Sequence, residues 1–122
     1  MMDQRSFSQS VKYALDGVHY GFKYNQNLRI VFVIGALVVV ASLLLGVDAF
    51  QMGILGVMIL LVISTEMINT AIEQMTDLIT KEHREEARVA KDVSAGMVLI
   101  TSAGSIIVGV LIFLPHILKL LR

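Results

Sequence analysis

The sequence predicts an all-α integral membrane protein, in which an N-terminal amphipathic surface helix precedes three transmembrane helices. Hydrophobic residues make up 56% of the 122 residues, charged residues only 16%, and the mean hydropathy is +0.76. This composition lies far outside that of soluble domains, and the length allows one domain. The net charge of zero indicates no nucleic-acid partner, and the absence of cysteine excludes disulfides and thiolate chemistry.

The first two elements are an amphipathic segment and an uncharged one. In residues 1–29, apolar side chains recur three and four positions apart among basic ones, which is typical of a helix lying on the membrane surface. A helix packed on the protein's own core is an equal alternative. Residues 30–47 form an apolar run without any charged residue and are long enough for a first span.

The second half of the chain predicts two further spans. Residues 49–80 read as one helix which, at about 1.5 Å per residue, exceeds the roughly 30 Å hydrocarbon core. This helix is therefore expected to project into the cytoplasm. A charged connection follows at residues 81–92, and residues 93–114 form the third span, ended by Pro115.

Basic residues predict the orientation. They flank the start of the first span and fill the connection between the second and third, at Arg5, Lys12, Lys23, Arg29, Lys81, Arg84, Arg88 and Lys91. By the positive-inside rule, the N-terminus and the 81–92 connection are cytoplasmic. Three spans then place the C-terminus outside. Small residues spaced by four in the third span, Thr101, Ser105 and Gly109, favour close helix packing and self-association.

A polar stripe on the second helix is the main functional signal. At 100° per residue one face of the helix carries Glu66, Asn69, Thr70, Glu73 and Asp77. A charge near the bilayer centre costs about 2.5–3.5 kcal/mol, so these carboxylates need a reason to be there. Interhelical hydrogen bonding is the alternative, but three acidic residues without a basic partner on this helix favour a functional site.

The spacing favours two separate roles for the carboxylates. Glu66 lies deepest, while Glu73 lies about 10.5 Å further along the helix axis, too far to share one metal ion. The deeper carboxylate suits a general base for a buried hydroxyl, and the shallower one suits Mg²⁺ with substrate phosphates. Such a site would let a lipid alcohol meet a soluble phosphate donor. No Walker-type or protein-kinase motif occurs in the sequence.

Two segments, EMINTAIEQMTD and AKDVSAG, carry a resemblance to a known family. They resemble the signature of the small integral-membrane diacylglycerol kinase/undecaprenol kinase family of bacteria, approximately E-x-x-N-[ST]-A-I-E-x-x-x-D followed by A-K-D. The resemblance covers almost the whole chain. It implies a homotrimer in the bacterial plasma membrane, with active sites shared between protomers, that transfers the γ-phosphate of ATP with Mg²⁺ to a lipid alcohol.

The resemblance also implies roles by position. Glu66 matches the catalytic base that faces the lipid, Asn69 matches its close partner, and Glu73 matches a metal-binding glutamate. The residues that it places at the nucleotide are Tyr13, Asn25, Glu73, Glu82, His83, Arg84, Lys91 and Asp92. Lys91 and Arg84 would help to neutralise phosphate charge.

Two positions qualify the resemblance. The family usually has a second metal-binding glutamate at position 25, where Asn25 offers Mg²⁺ a neutral oxygen without charge. Asn25→Glu is therefore expected to lower the Mg²⁺ concentration needed for activity. At the lipid substrate, Ala95 replaces a serine of the diacylglycerol-specific branch, and the tail IFLPHIL is similar to that of Gram-positive members. Undecaprenol is therefore the favoured acceptor, with diacylglycerol, or a non-catalytic relative with impaired metal binding, as alternatives.

Overall fold

Four helices make up residues 6–122, the part of the chain that the computed structural model describes. They are α1 (Phe7–Tyr24), α2 (Gln26–Leu45), α3 (Ala49–Ile79) and α4 (Glu85–Leu120). The last three are long and apolar enough to cross a membrane, which supports a multi-pass membrane protein. The prediction of an all-helical fold with three helices that could cross a membrane is therefore confirmed for residues 6–122. Residues 1–5, including Arg5, lie outside the described residues.

Side-chain caps determine where the first helices begin. The hydroxyl of Ser6 accepts a hydrogen bond from the Gln9 backbone N–H at 3.3 Å, and the side-chain oxygen of Gln9 accepts one from the Ser6 N–H at 3.1 Å. This reciprocal pair is a capping box at the start of α1. Asp48 caps α3 in a related way, because its Oδ1 accepts from the Gln51 N–H at 2.8 Å.

A sharp elbow separates α1 from α2 at Asn25. The Asn25 backbone N–H donates to the Gly21 carbonyl at 2.8 Å and ends α1, while Asn25 Oδ1 accepts from the Leu28 N–H at 3.2 Å and begins α2. Arg29 Nη1 donates to the last carbonyls of α1, at Phe22 and Lys23. A first helix was predicted over residues 1–29, but α1 ends at Tyr24 because Asn25 caps the next helix.

Helix α3 packs most extensively against α4 and less against α2, while α1 lies against the start of α2 and the polar end of α3. A small core of Val47, Leu55 and Ile112 lies near the turn that joins α2 to α3. Deeper in the bundle, the hydroxyls of Thr65 and Thr101 are 3.0 Å apart. Most apolar side chains of the spans remain exposed in the single protomer, as expected for faces that meet lipid or another protein surface.

Helix α4 differs from the prediction at both ends. Of the predicted 81–92 connection, only residues up to 84 are non-helical, and the helix begins at Glu85. Arg88 pairs with Glu85 one turn before it and with Asp92 one turn after it, which stabilises a helix in this charged segment. The helix also continues through Pro115 to Leu120. Proline removes one backbone hydrogen bond, and membrane helices tolerate this loss when other groups satisfy the backbone.

Candidate active site

Glu66 is the buried carboxylate of the polar stripe. It lies on α3, only 4% exposed, immediately after the apolar part of the helix. A buried carboxylate requires hydrogen-bond donors, because an unpaired charge in an apolar environment is costly. The donor to Glu66 comes from the elbow between α1 and α2, where Asn25 Nδ2 lies 3.3 Å from Glu66 Oε2.

Asn25 and Thr70 complete the deeper end of the stripe. The Asn25 Nδ2 also donates to Thr70 Oγ1 at 2.7 Å, and the Thr70 hydroxyl donates to the backbone carbonyl of Glu66 at 3.0 Å. Glu66 and Thr70 lie about one helical turn apart on the same face of α3, as the stripe predicts. Three helices therefore meet at Glu66, since Asn25 joins α1 and α2 to α3.

A second polar group lies one turn further along α3. Asn69 Nδ2 donates to Glu73 Oε1 at 3.3 Å, and the buried Ser94 of α4 donates its hydroxyl proton to Asn69 Oδ1. The amide of Asn69 thus connects a serine of α4 to the carboxylate of Glu73. Asn69 was predicted to be the close partner of Glu66, but its hydrogen bonds in the structure go to Glu73 and Ser94.

Lys91 and Asp77 link the same two helices further along the stripe. Lys91 Nζ donates to Asp77 Oδ1 at 2.7 Å, and this hydrogen bond is the main reason that the pKa of Lys91 lies above its ordinary value. The negative charge of nearby Glu73 raises the pKa further. Lys91 is therefore a protonated cation at neutral pH, close to the carboxylates of the stripe.

The other predicted site residues lie at the surface of the protomer. Arg84 Nε contacts Glu82 at 3.1 Å in the exposed connection that also contains His83. Asp92 is exposed and accepts from Arg88 Nη1 at 2.8 Å. Tyr13 on α1 and Ala95 on α4 are also exposed. The roles expected for these six predicted residues, Tyr13, Glu82, His83, Arg84, Asp92 and Ala95, stay predictions.

The predicted site omitted two residues that the structure places within it. Thr70 orients the group around Glu66, and Ser94 orients Asn69. Thr70 lies on the polar stripe, and the family signature specifies serine or threonine at its position, so a signal was present. Ser94 carried no signal of its own, since a serine in a membrane helix is usually a packing residue.

Glu73 and Asn25 are the two residues that were expected to bind Mg²⁺. Within residues 6–122, no three aspartate, glutamate, histidine or cysteine side chains are grouped so that they could hold a metal ion. Mg²⁺ is commonly held by one or two carboxylates together with substrate phosphates and water, and the exposed carboxylate of Glu73 fits that pattern. Asn25 fits it less well, because its oxygen caps α2 and its nitrogen is directed to Glu66.

The sequence of this chain matches that of a known protein family. The sequence model that describes prokaryotic diacylglycerol kinases matches residues 12–113, which include the elbow, the stripe and most of α4. The chain belongs to this family. The prokaryotic diacylglycerol kinase family is a family of lipid kinases, and the resemblance found in the two motifs is confirmed.

Two relatives carry different substrate names. A diacylglycerol kinase of Synechocystis sp. is 37% identical over 113 residues, which are 92% of this chain and 65% of that protein. An undecaprenol kinase of Bacillus subtilis is 32% identical over 111 residues, 91% of this chain and 90% of that protein. The chain therefore spans almost all of the second relative but less than two thirds of the first.

Proposed function

We propose that this protein is a lipid kinase that transfers the γ-phosphate of ATP, in the presence of Mg²⁺, to the hydroxyl of a membrane lipid alcohol. The observation that carries the proposal is the position of Glu66. A carboxylate only 4% exposed lies where the apolar part of α3 ends, and its donor is a neutral amide rather than a cation. A structural ion pair would require a basic partner, whereas a group that accepts a proton from a lipid hydroxyl does not.

The residues around Glu66 divide the work of phosphoryl transfer. This reaction depends mainly on positioning and on neutralisation of phosphate charge. Glu66 accepts the proton of the acceptor hydroxyl. Lys91 separates from Asp77 and binds the phosphates, whose negative charge it helps to neutralise. Glu73 would hold Mg²⁺, which neutralises charge on the nucleotide phosphates when it is bound. The other proposed nucleotide contacts are Tyr13, Glu82, His83, Arg84 and Asp92.

The assembly and orientation of the protein are part of the same proposal. We infer a homotrimer in the bacterial plasma membrane, with the N-terminus and the 80–84 connection in the cytoplasm and the C-terminus outside. The basic residues of α1 and of the segment around Lys91 support this orientation. The exposed apolar faces of the spans, and the exposed carboxylates of Glu73 and Asp92, support a site that a second protomer helps to enclose.

An apolar groove supports a lipid acceptor. It has a volume of about 490 Å³, lies among α2, α3 and α4, and is lined almost wholly by apolar side chains. Val62 lines it on α3, about one turn before Glu66, and on α4 the lining extends from Ser102 to Ile117. That stretch of helix is about 22 Å long, so a lipid chain in the groove would place its hydroxyl end near Glu66.

Undecaprenol is the acceptor that we propose, with diacylglycerol as the second candidate. Ala95 offers no hydroxyl to a glycerol backbone, and the relative of similar length is the one named for undecaprenol. The relative with higher identity is named for diacylglycerol, which is why both lipids belong in the same experiment.

The experiment is a direct phosphorylation assay. Purified protein is incubated with Mg²⁺, labelled ATP and either undecaprenol or diacylglycerol in mixed micelles, beside the Glu66→Gln variant. We expect labelled lipid from the wild type and a loss of at least about 100-fold in the variant, the scale on which general-base catalysis contributes. Product from neither lipid would instead support a non-catalytic membrane relative, and preferred labelling of diacylglycerol would overturn the choice of acceptor.

A further inference from the structure

We propose that Asn25 is a positioning residue for Glu66, and that Thr70 and the first turn of α2 orient its side-chain amide for this task. The inference rests on the proposed function, in which Glu66 accepts the proton of the lipid hydroxyl. It assigns position 25 a role different from metal binding, which is what the resemblance alone implies there.

Two contacts independently determine which way the Asn25 amide points. The Thr70 hydroxyl gives its proton to the Glu66 carbonyl at 3.0 Å, so only a lone pair remains for Asn25, and the group 2.7 Å away must be a donor. At the other end of the amide, the Leu28 N–H is a donor and requires the oxygen, which lies at 3.2 Å. Both contacts select the same orientation, with the nitrogen toward α3.

The same orientation directs an N–H toward the carboxylate of Glu66. Because Nδ2 has two hydrogens, it can serve Thr70 and Glu66 Oε2, which lies 3.3 Å away, at once. A flipped amide would set its oxygen against the Glu66 carboxylate and its nitrogen against the Leu28 N–H, and all three hydrogen bonds would be lost. An oxygen of Asn25 cannot therefore face the stripe as a metal ligand while the elbow keeps its structure.

The backbone at the elbow is fixed by contacts on both sides, so the position of Asn25 does not depend on Glu66. The Asn25 backbone N–H donates to the Gly21 carbonyl, and Leu28, whose N–H the Asn25 side chain caps, is fully buried. A Cβ added to Gly21 would lie 2.9 Å from Leu28 Cδ2, which shows how closely the two helix ends approach. The amide thus reaches α3 from a backbone that has little freedom to move.

Four substitutions separate this role from capping and from metal binding. Asn25→Asp keeps an oxygen to cap α2 but removes both N–H groups, and Asn25→Ser keeps a cap but is too short to reach Glu66. Thr70→Val removes the hydroxyl that orients the amide. Thr76→Val is the matched control, because the Thr76 hydroxyl on the same helix donates only to the Ile72 carbonyl, at 2.7 Å.

The kinetic test measures kcat, KM for ATP and the Mg²⁺ concentration at half-maximal rate, after the wild type and Glu66→Gln have established turnover. We expect Asn25→Asp and Asn25→Ser to lower kcat by about 10- to 100-fold, as for loss of a hydrogen bond to a charged group. Thr70→Val should lower kcat about 5-fold, on the scale of a neutral hydrogen bond, and Thr76→Val should leave it unchanged. KM for ATP and the Mg²⁺ requirement should stay within a factor of about 2 throughout, because positioning acts on the reacting carboxylate alone.

The opposite pattern overturns the inference. If Asn25→Asp or Asn25→Glu keeps or raises kcat and lowers the Mg²⁺ requirement, position 25 is a metal site and Asn25 is a weak ligand. An unchanged kcat in both Asn25→Asp and Asn25→Ser also overturns it, whatever the Mg²⁺ requirement.

A spectroscopic measurement keeps the inference testable if the wild type phosphorylates neither lipid. The side-chain amide signals of Asn25, assigned by their loss in Asn25→Asp, are recorded in detergent micelles by ¹⁵N NMR. They should shift in Glu66→Gln and remain in place in Glu73→Gln, a matched change about two helical turns further along the stripe. No shift in Glu66→Gln would show that the contact does not form.

Discussion

Ser94 offers a direct test of how α4 contributes to the site. Its side chain is 3% exposed, and its hydroxyl donates to Asn69 Oδ1 across the α3–α4 interface. That bond keeps the nitrogen of Asn69 directed at Glu73, whose Oε1 lies 3.3 Å away. Ser94→Ala removes the donor, so the Asn69 oxygen loses its partner and the amide becomes free to rotate.

The expected size of the effect follows from these contacts. A fully buried acceptor left without a donor costs about 1–3 kcal/mol, and Asn69 is partly buried, so we expect the free energy of unfolding to fall by about 1–2 kcal/mol. A rotated Asn69 would turn its oxygen toward Glu73, which weakens the orientation of the proposed Mg²⁺ ligand. We therefore expect the Mg²⁺ concentration at half-maximal rate to rise about 3- to 10-fold, which corresponds to about 0.7–1.4 kcal/mol.

The assay compares Ser94→Ala with Ser105→Ala in the same mixed micelles. Both serines lie on α4, but the Ser105 hydroxyl donates within its own helix, to the Ser102 carbonyl at 2.8 Å. Activity is measured against Mg²⁺ concentration at saturating ATP, and unfolding is followed in detergent. A Ser94→Ala variant with the wild-type Mg²⁺ curve, or equal effects in the two variants, would refute the reasoning.

Two further predictions use matched glycines. Gly21→Ala should destabilise the protein by about 1–3 kcal/mol, because the new Cβ would meet the fully buried Leu28. A Cβ at Gly17 would meet nothing within 4 Å, so Gly17→Ala should stabilise the protein by about 0.5–1 kcal/mol. Thermal unfolding in detergent measures both, and the reverse order would contradict the packing of the elbow. Gly109→Leu should raise KM for the lipid at least about 3-fold by filling the groove, with KM for ATP unchanged, while Gly53→Leu outside the groove should change neither. Equal lipid KM values in these two variants would exclude the groove as the acceptor site.

Hydrophobicity and helical periodicity account for most of what the sequence predicted about the fold. Helix α3 was expected over residues 49–80 and runs from Ala49 to Ile79. Its start could be predicted because Asp48 is a favourable cap directly before an apolar run. Its long polar continuation could be predicted because the helical spacing of the stripe persists beyond the membrane boundary.

The elbow and the ends of α4 could not be predicted in the same way. A polar residue such as Asn25 can continue a helix, end one or begin one, and only its contacts with Gly21 and Leu28 distinguish these cases. The charged segment that begins α4 read as a connection because charge alone does not reveal pairing. Its helical structure depends on Arg88 reaching carboxylates on both adjacent turns.

The stripe itself was predictable, but the partners of its residues were not. Helical periodicity places Glu66, Asn69 and Glu73 on one face. It does not reveal that the first is bonded to the elbow and the other two are connected to Ser94. The contact of Glu66 with Asn25 spans 41 positions of the sequence, and that of Asn69 with Ser94 spans 25. Both therefore depend on how α2 and α4 pack against α3.

This division of partners has a consequence for how the site works. The deeper carboxylate is held from the α1–α2 elbow, and the shallower polar group is held from α4, with Lys91 and Asp77 beside it. The helix that carries the proposed catalytic residues thus receives its orientation from two different neighbours. A shift of α4 would disturb Asn69 and Glu73 without disturbing Glu66, and a shift of the elbow would do the reverse.

Variants at the elbow should therefore affect kcat, and variants at Ser94 should affect the Mg²⁺ requirement. Because the two groups share no hydrogen bond in residues 6–122, the free-energy effects of one variant from each should add within about 0.5 kcal/mol.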